Sequence, residues 1–390
     1  MNDITLRPLT FTRQVLQCAL NNTSPIFDSF QKIDKLQMMN DKSFKEVTEI
    51  ELDVFSVTQL YLKSIVNMGS YTDSMGCQFI RDNIANAVGR RDRTPASSSD
   101  IKTIDSLAED FRQICKIIIR GPNDCFLMPA PADPVYEFSV KFCGGSTSRY
   151  QIDALDVNAT ISNLDRALSS TKREGKSAKV LFIANPNQLG VRHSREDLQK
   201  LIDFAHTNNL LIFADESFQQ MVFEDLTVSS VLAPERYTVD DSVRFVSLRE
   251  ALLSMPSREV RESQELISGF SISRSIFPEK TINGGFLHFQ NINEFSMSMI
   301  NKLASIMLCS NTSGQVATDI ALSFPLFHPT LKPASRRFIS NEYFLNRQQL
   351  LDSSASYLSV LGGIPNVSVI RSNATFNQWI RLECPPATLA

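Results

Sequence analysis

The sequence contains no apolar run approaching the length of a membrane span, so no spanning helix is expected. Nor has it a basic surplus: 39 Lys and Arg stand against 42 Asp and Glu, a net charge of −3. That balance gives no reason to expect nucleic acid or a membrane surface as partner. Its seven cysteines are an odd number, scattered from Cys18 to Cys384 without a Cys-x-x-Cys pair. This argues for reduced thiols rather than a disulfide frame. The four histidines (His193, His206, His288, His328) are also scattered, and no His/Cys cluster has zinc spacing. No metal site is expected. Met1–Pro25 lacks the basic start and apolar core of a secretory signal, so the expected compartment is the cytosol.

At 390 residues, 43% hydrophobic and 21% charged, the composition is that of a soluble globular protein with two domains as the natural expectation. The strongest local pattern is Lys179–Glu216. Val180–Ala184 is a continuous apolar run, as in a strand covered on both faces. A turn follows at Asn185–Gly190, then Ser194-Arg195-Glu196-Asp197, which reads as a capping box with Asp in place of Glu. Leu198, Leu201, Ile202 and Ala205 share one helix face, and Leu210–Phe213 is the next buried strand, ending at Asp215. This is a βαβ unit. Ligands in such sheets sit at the carboxyl ends of strands, which places Asn187 and Asp215 where chemistry would occur.

A second stretch, Ser268–Phe286, reads as a strand, an exposed turn carrying Arg274, a loop broken by Pro278, and Gly284-Gly285 opening another strand. Elsewhere, Met297, Met299, Ile300, Leu303 and Met307 lie on an amphipathic helix and are expected in the core. Arg90–Asp100 reads as a polar loop. Asp133 before Pro134 reads as an exposed turn.

Position for position, Ser268–Phe286 resembles the cofactor-anchoring segment of pyridoxal-phosphate-dependent class I/II aminotransferases of the alanine aminotransferase type. The resemblance runs over nearly the whole chain and implies an α/β fold: a large domain with a doubly wound, mostly parallel sheet, plus a smaller α+β domain truncated at the carboxyl end. It implies an amino-terminal arm and part of the small domain at 1–60, the large cofactor-type domain at 61–325, and an interdomain helix with an incomplete small domain at 326–390. The chain ends before the family's arginine for the substrate α-carboxylate.

In the family, a lysine after Ser-x-Ser holds the cofactor aldehyde; here Ser271-Ile272-Ser273 is followed by Arg274. The family's phosphate arginine precedes the Gly-Gly pair, where this chain has Asn283. Asn187 and Asp215 match the residues that bond the ring hydroxyl and the ring nitrogen. Phe218 replaces a second ring-hydroxyl donor, and Asp133 replaces the tyrosine that stacks on the ring. Ser106, Leu107 and Ala108 stand at the phosphate-binding helix start, followed by Glu109 and Asp110, whose charges repel a dianion. Tyr71 matches a tyrosine that reaches across a dimer to the neighbour's phosphate.

Arginine cannot replace the lysine, because the guanidinium stays protonated and is no nucleophile. The missing phosphate arginine removes roughly 1.5–3 kcal/mol of binding, and the missing ring roughly 0.5–1.5 kcal/mol more. Cofactor affinity should fall on the order of a hundred- to a thousandfold. The expectation is a degenerate aminotransferase with transamination lost. Asp215 and Arg274 should pair across its site, and it should serve as a structural or regulatory partner, as a homodimer or beside an active paralogue. The alternative is a working enzyme: an alanine:2-oxoglutarate-type aminotransferase acting on amino and keto acids, or one that binds a phosphate ligand non-covalently through Asp215, Arg274 and Ser271.

Overall fold

A computed structural model describes residues 71–223, 244–276, 283–323 and 333–382. The amino-terminal arm expected at 1–60 lies outside the described residues. In chain order come helix α1 (Gln78–Arg91), strand β1 (Ile101–Ile104), α2 (Leu107–Ile118), β2 (Asp124–Ala130), α3 (Pro134–Phe142) and β3 (Ser146–Gln151). There follow α4 (Val157–Arg173), β4 (Ser177–Ala184), α5 (Arg195–Thr207), β5 (Leu211–Asp215), α6 (Leu248–Leu253) and α7 (Arg258–Ser263). The remainder is β6 (Leu266–Ser271), β7 (Gly285–Gln290), α8 (Glu294–Ile306), α9 (Thr312–Ser323), α10 (Pro333–Leu361), β8 (Val367–Val369) and β9 (Ile380–Leu382).

One seven-stranded sheet has the order β1-β7-β6-β5-β4-β2-β3. Its neighbours from β6 to β3 are parallel, and β7 runs antiparallel to both β6 and β1. Period-two alternation explains why helices cover both faces. Leu127, Leu181, Ile183 and Ile212 enter one core with α4, α5 and α6. Their sequence neighbours Phe126, Val180, Phe182 and Phe213 enter the other with α2, α3 and α8. Phe111 of α2 sits at the centre of this second core, edge-on to Phe126, Tyr136, Phe182 and Phe213 at 4.7–6.0 Å. This is the doubly wound α/β sheet expected from the sequence.

The β4–α5–β5 unit forms as its pattern predicts. Both halves of the capping box are present: Ser194 Oγ accepts from the Asp197 N–H at 3.1 Å, and Asp197 accepts from the Ser194 N–H at 3.3 Å. Replacing Ser194 with Ala removes the first bond and should cost about 1 kcal/mol in urea unfolding. An unchanged midpoint would show that the packing of Leu198, Leu201 and Ile202 fixes this helix end without its cap.

The segment around Ser372–Trp379 is seated on the turn after β4. Gly190, at φ +79°, accepts from the Asn373 and Ala374 N–H groups. A Cβ there would lie 2.7 Å from Ser372 Cβ, so a side chain is excluded.

Two expectations need correction. In α8 only Ile300 and Ala304 are buried, while Met299, and Met307 at the C-cap, are 40% and 53% exposed. The helix lies as an outer layer on α2, so one narrow stripe suffices to seat it. Arg90–Asp100 is not simply a polar loop: Arg91 closes α1 and Asp92 is buried.

Candidate functional site

The end of β5 places the Asp215 carboxylate, 3% exposed, at the carboxyl edge of the parallel strands. Its Oδ1 accepts from the Ser217 N–H at 3.0 Å, an Asx-type turn that aims the group away from its own strand. Its Oδ2 accepts from Tyr136 Oη at 2.7 Å and from Arg274 Nη1 at 3.4 Å. The Arg274–Asp215 pair expected from the sequence is therefore present, and it is shared. Arg274 Nη2 bonds the Asp133 carboxylate as an ion pair. The guanidinium also lies 5.6 Å from the centre of the Phe218 ring, a cation–π contact.

Each element delivers one part. Leu266–Phe270 are buried as β6, and the short 3-10 turn Ile272–Arg274 then swings the arginine toward β5. Asp133 is the N-cap of α3, where its Oδ1 accepts from the Val135 N–H at 3.1 Å. Tyr136 is held by Phe111 and by Phe182. Burial, and then the neighbouring Asp215, raise the Tyr136 phenol well above its ordinary pKa, so it donates a proton it does not lose. For Arg274, burial opposes the charge, but Asp215, Tyr136 and Asp133 outweigh it and the pKa is raised.

Asn187 is buried in the turn after β4. Its Oδ1 accepts from the Leu189 and Val191 N–H groups, while its Nδ2 has no partner among the described residues. Ser271 is buried, its hydroxyl 2.9 Å from that of Ser273. The Asn283 side chain is exposed, and its carbonyl accepts from Asn311 Nδ2. Beside it Gly285 lies so close to β6 that a Cβ would sit 2.1 Å from the Phe270 carbonyl. The Gly-Gly frame thus has a packing cause independent of any ligand. Ser106 is the N-cap position of α2 without a side-chain cap bond, Leu107 is buried against Gly269, and Ala108 is half-buried. Among the described residues, none of these six site positions is hydrogen-bonded or ion-paired to Asp215 or Arg274. Tyr71 is 77% exposed on a segment fixed by Thr72, which meets Cys309 and Gln315.

The class I and II aminotransferase family model matches residues 37–249. The chain belongs to the class I and II aminotransferases. This aminotransferase-family chain is 28% identical over 323 residues to mitochondrial alanine aminotransferase 2 of Arabidopsis thaliana, covering 81% of itself and 55% of that relative. It is 27% identical over 260 residues to glutamate–glyoxylate aminotransferase 1 of the same plant, covering 66% and 50%. In fold it is similar to the solved alanine aminotransferase of Pyrococcus furiosus, with a TM-score of 0.64 and 18% identity, over 94% of this chain and 84% of that one. The chain spans about half the length of the curated relatives it matches. Some of these relatives are named as mitochondrial, so the resemblance does not favour the cytosol. Among the described residues no helix is long and apolar enough to cross a membrane.

Asp133, which the family resemblance puts at the site and the Asp-Pro pair in an exposed turn, meets Arg274, because capping α3 turns its second oxygen inward. Sequence reading missed two parts of this aminotransferase-family site. Tyr136 was legible only as the aromatic two positions after Pro134, and its bond to Asp215 joins α3 to the end of β5. Behind Asp215 lies a buried charge network. Glu216 accepts from the Leu248 N–H at 2.7 Å and faces Arg91 at 3.4 Å, and Asp92 accepts from Arg91, Arg249 and Ser247. Nothing but the charge run Arg90–Arg93 hinted at it.

Proposed function

We propose that this chain is a catalytically silent member of the aminotransferase family, acting as a structural or regulatory partner of a second aminotransferase-type chain. The observation that carries the reading is the Arg274 guanidinium beside Asp215, where the family needs an amine. The residues present do not fit pyridoxal phosphate. Asp215, which should take a ring N–H, already accepts from Tyr136 and Arg274. Asp133 adds a second carboxylate where an aromatic ring should stack, and the phosphate positions are a helix start with Glu109 and Asp110 and the exposed Asn283.

The rival reading, a non-covalent phosphate enzyme gripped by Arg274, is disfavoured by the same geometry. Both terminal guanidinium nitrogens are engaged by carboxylates, and Ser271 bonds Ser273. The exposed Tyr71 supports the partner role: a large aromatic held on a fixed segment is the kind of group that completes a neighbour's surface.

Pure chain mixed with pyridoxal phosphate and then dialysed should keep no visible absorption band, and should not transaminate alanine with 2-oxoglutarate above the rate of free cofactor. A retained band or turnover would sink the silent-member reading. Sedimentation alone and with an active paralogue should give a dimer in at least one case. A monomer in both rejects the partner role.

A further inference from the structure

Asp133 has two tasks. One oxygen caps α3 through the Val135 N–H, and the carboxylate also pairs with Arg274. Arg274 in turn reaches Asp215, so three distant parts of the chain, the α3 start, the β5 end and the turn after β6, meet at one guanidinium. The flat, delocalised cation lies against Phe218 with a carboxylate at each end. Tyr136 fixes the orientation of Asp215 from the other side.

We infer that Asp133 and Arg274 form an internal ligand of Asp215, and that Asp133 is the residue deciding whether the site can be reopened. The inference rests on the silent-member reading and goes beyond it, since that reading needs only the missing amine. Two carboxylates against one guanidinium leave the cluster with one net negative charge, which repels a phosphate-bearing anion. An amine placed at position 274 would stand between the same two carboxylates. Nearby opposite charge favours the ammonium form, and an ammonium is no nucleophile. Restoring lysine alone therefore exchanges one captive cation for another.

Removing the charge of Asp133 changes this without unseating α3, because Asn caps a helix as well as Asp does. With Asp133→Asn, a lysine at 274 faces one carboxylate instead of two.

The test compares wild type, Asp133→Asn, Arg274→Lys and the double variant, each mixed with pyridoxal phosphate, dialysed and read by absorbance per chain. Urea midpoints confirm that each is folded. Wild type and both single variants should retain cofactor only at the background of the dialysed buffer, and the double variant at least about tenfold more than Arg274→Lys. Equal retention by Arg274→Lys and the double variant overturns the role of Asp133. A folded double variant that retains no more than wild type also overturns the deciding role of Asp133, because the changed phosphate positions then suffice to keep the cofactor out. Retention by wild type would instead sink the silent-member reading, so the two failures are distinguishable. As a second readout, Asp133→Asn and Arg274→Gln should be non-additive in urea midpoint; strict additivity also overturns the pairing.

Discussion

Arg274→Leu should unfold with about 3 kcal/mol less stability than wild type at neutral pH. Stripping one partner from a buried ion pair costs roughly 3–5 kcal/mol, because the remaining charge is left desolvated. The low end applies because the Arg274 side chain keeps 26% exposure and that of Asp133 25%. Two carboxylates lose their cation at once, and Asp215 is left with Tyr136 and the Ser217 N–H as donors. Equal urea midpoints at neutral pH would show that Arg274 is solvated and that Asp215 needs no cation.

The contrast between what the sequence disclosed and what it hid follows from the range of the interactions. The capping box, the split of β4 and β5 between two cores, and Asp215 at a strand end are local consequences of spacing, and each is visible in a few consecutive residues. Tyr136–Asp215 and Asp133–Arg274 join residues 79 and 141 positions apart. No periodicity records such pairs. Asp133 was the hardest, because an Asp-Pro turn and an N-cap look alike in sequence, and only the second turns an oxygen toward β5. The methionines of α8 misled for a different reason. Apolar spacing shows which face is capable of burial, not how many layers lie beyond it.

The network behind Asp215 should contribute two opposed terms to the acid-side stability of this protein, from groups that titrate in opposite senses. Glu216 is pushed up from 4.5 to about 7, by burial first and then by Asp92 and Asp215, against Arg91 and the Leu248 N–H. Arg91 compensates it weakly because its guanidinium is bound to Asp92 at 2.6 and 3.0 Å and reaches Glu216 only at 3.4 Å. Since the folded value is the higher one, the contribution of Glu216 is complete below 4.5 and is lost as pH rises through 7. His288, buried on β7 with neither ring nitrogen bonded among the described residues, moves the other way. Burial, then Arg249 and Arg91, depress it from 6.5 to about 3, against Asp92. Its contribution is complete above 6.5 and is lost as pH falls toward 3. Between 4.5 and 6.5 the two slopes, each about 1.4 kcal/mol per pH unit, cancel. Below that window the Glu216 contribution is complete, while that of His288 is still lost as pH falls toward 3. Relative to wild type, Glu216→Gln, which keeps an acceptor for Leu248, should lose about 3 kcal/mol between 6.5 and 4.5. His288→Leu should produce the opposite slope. It should also stabilise the protein at pH 5, because it removes a buried polar group without breaking any bond. Urea unfolding at half-unit pH steps measures all three profiles. Parallel curves for wild type and both variants would mean that neither group changes its protonation on folding, and that the charges behind Asp215 are open to water.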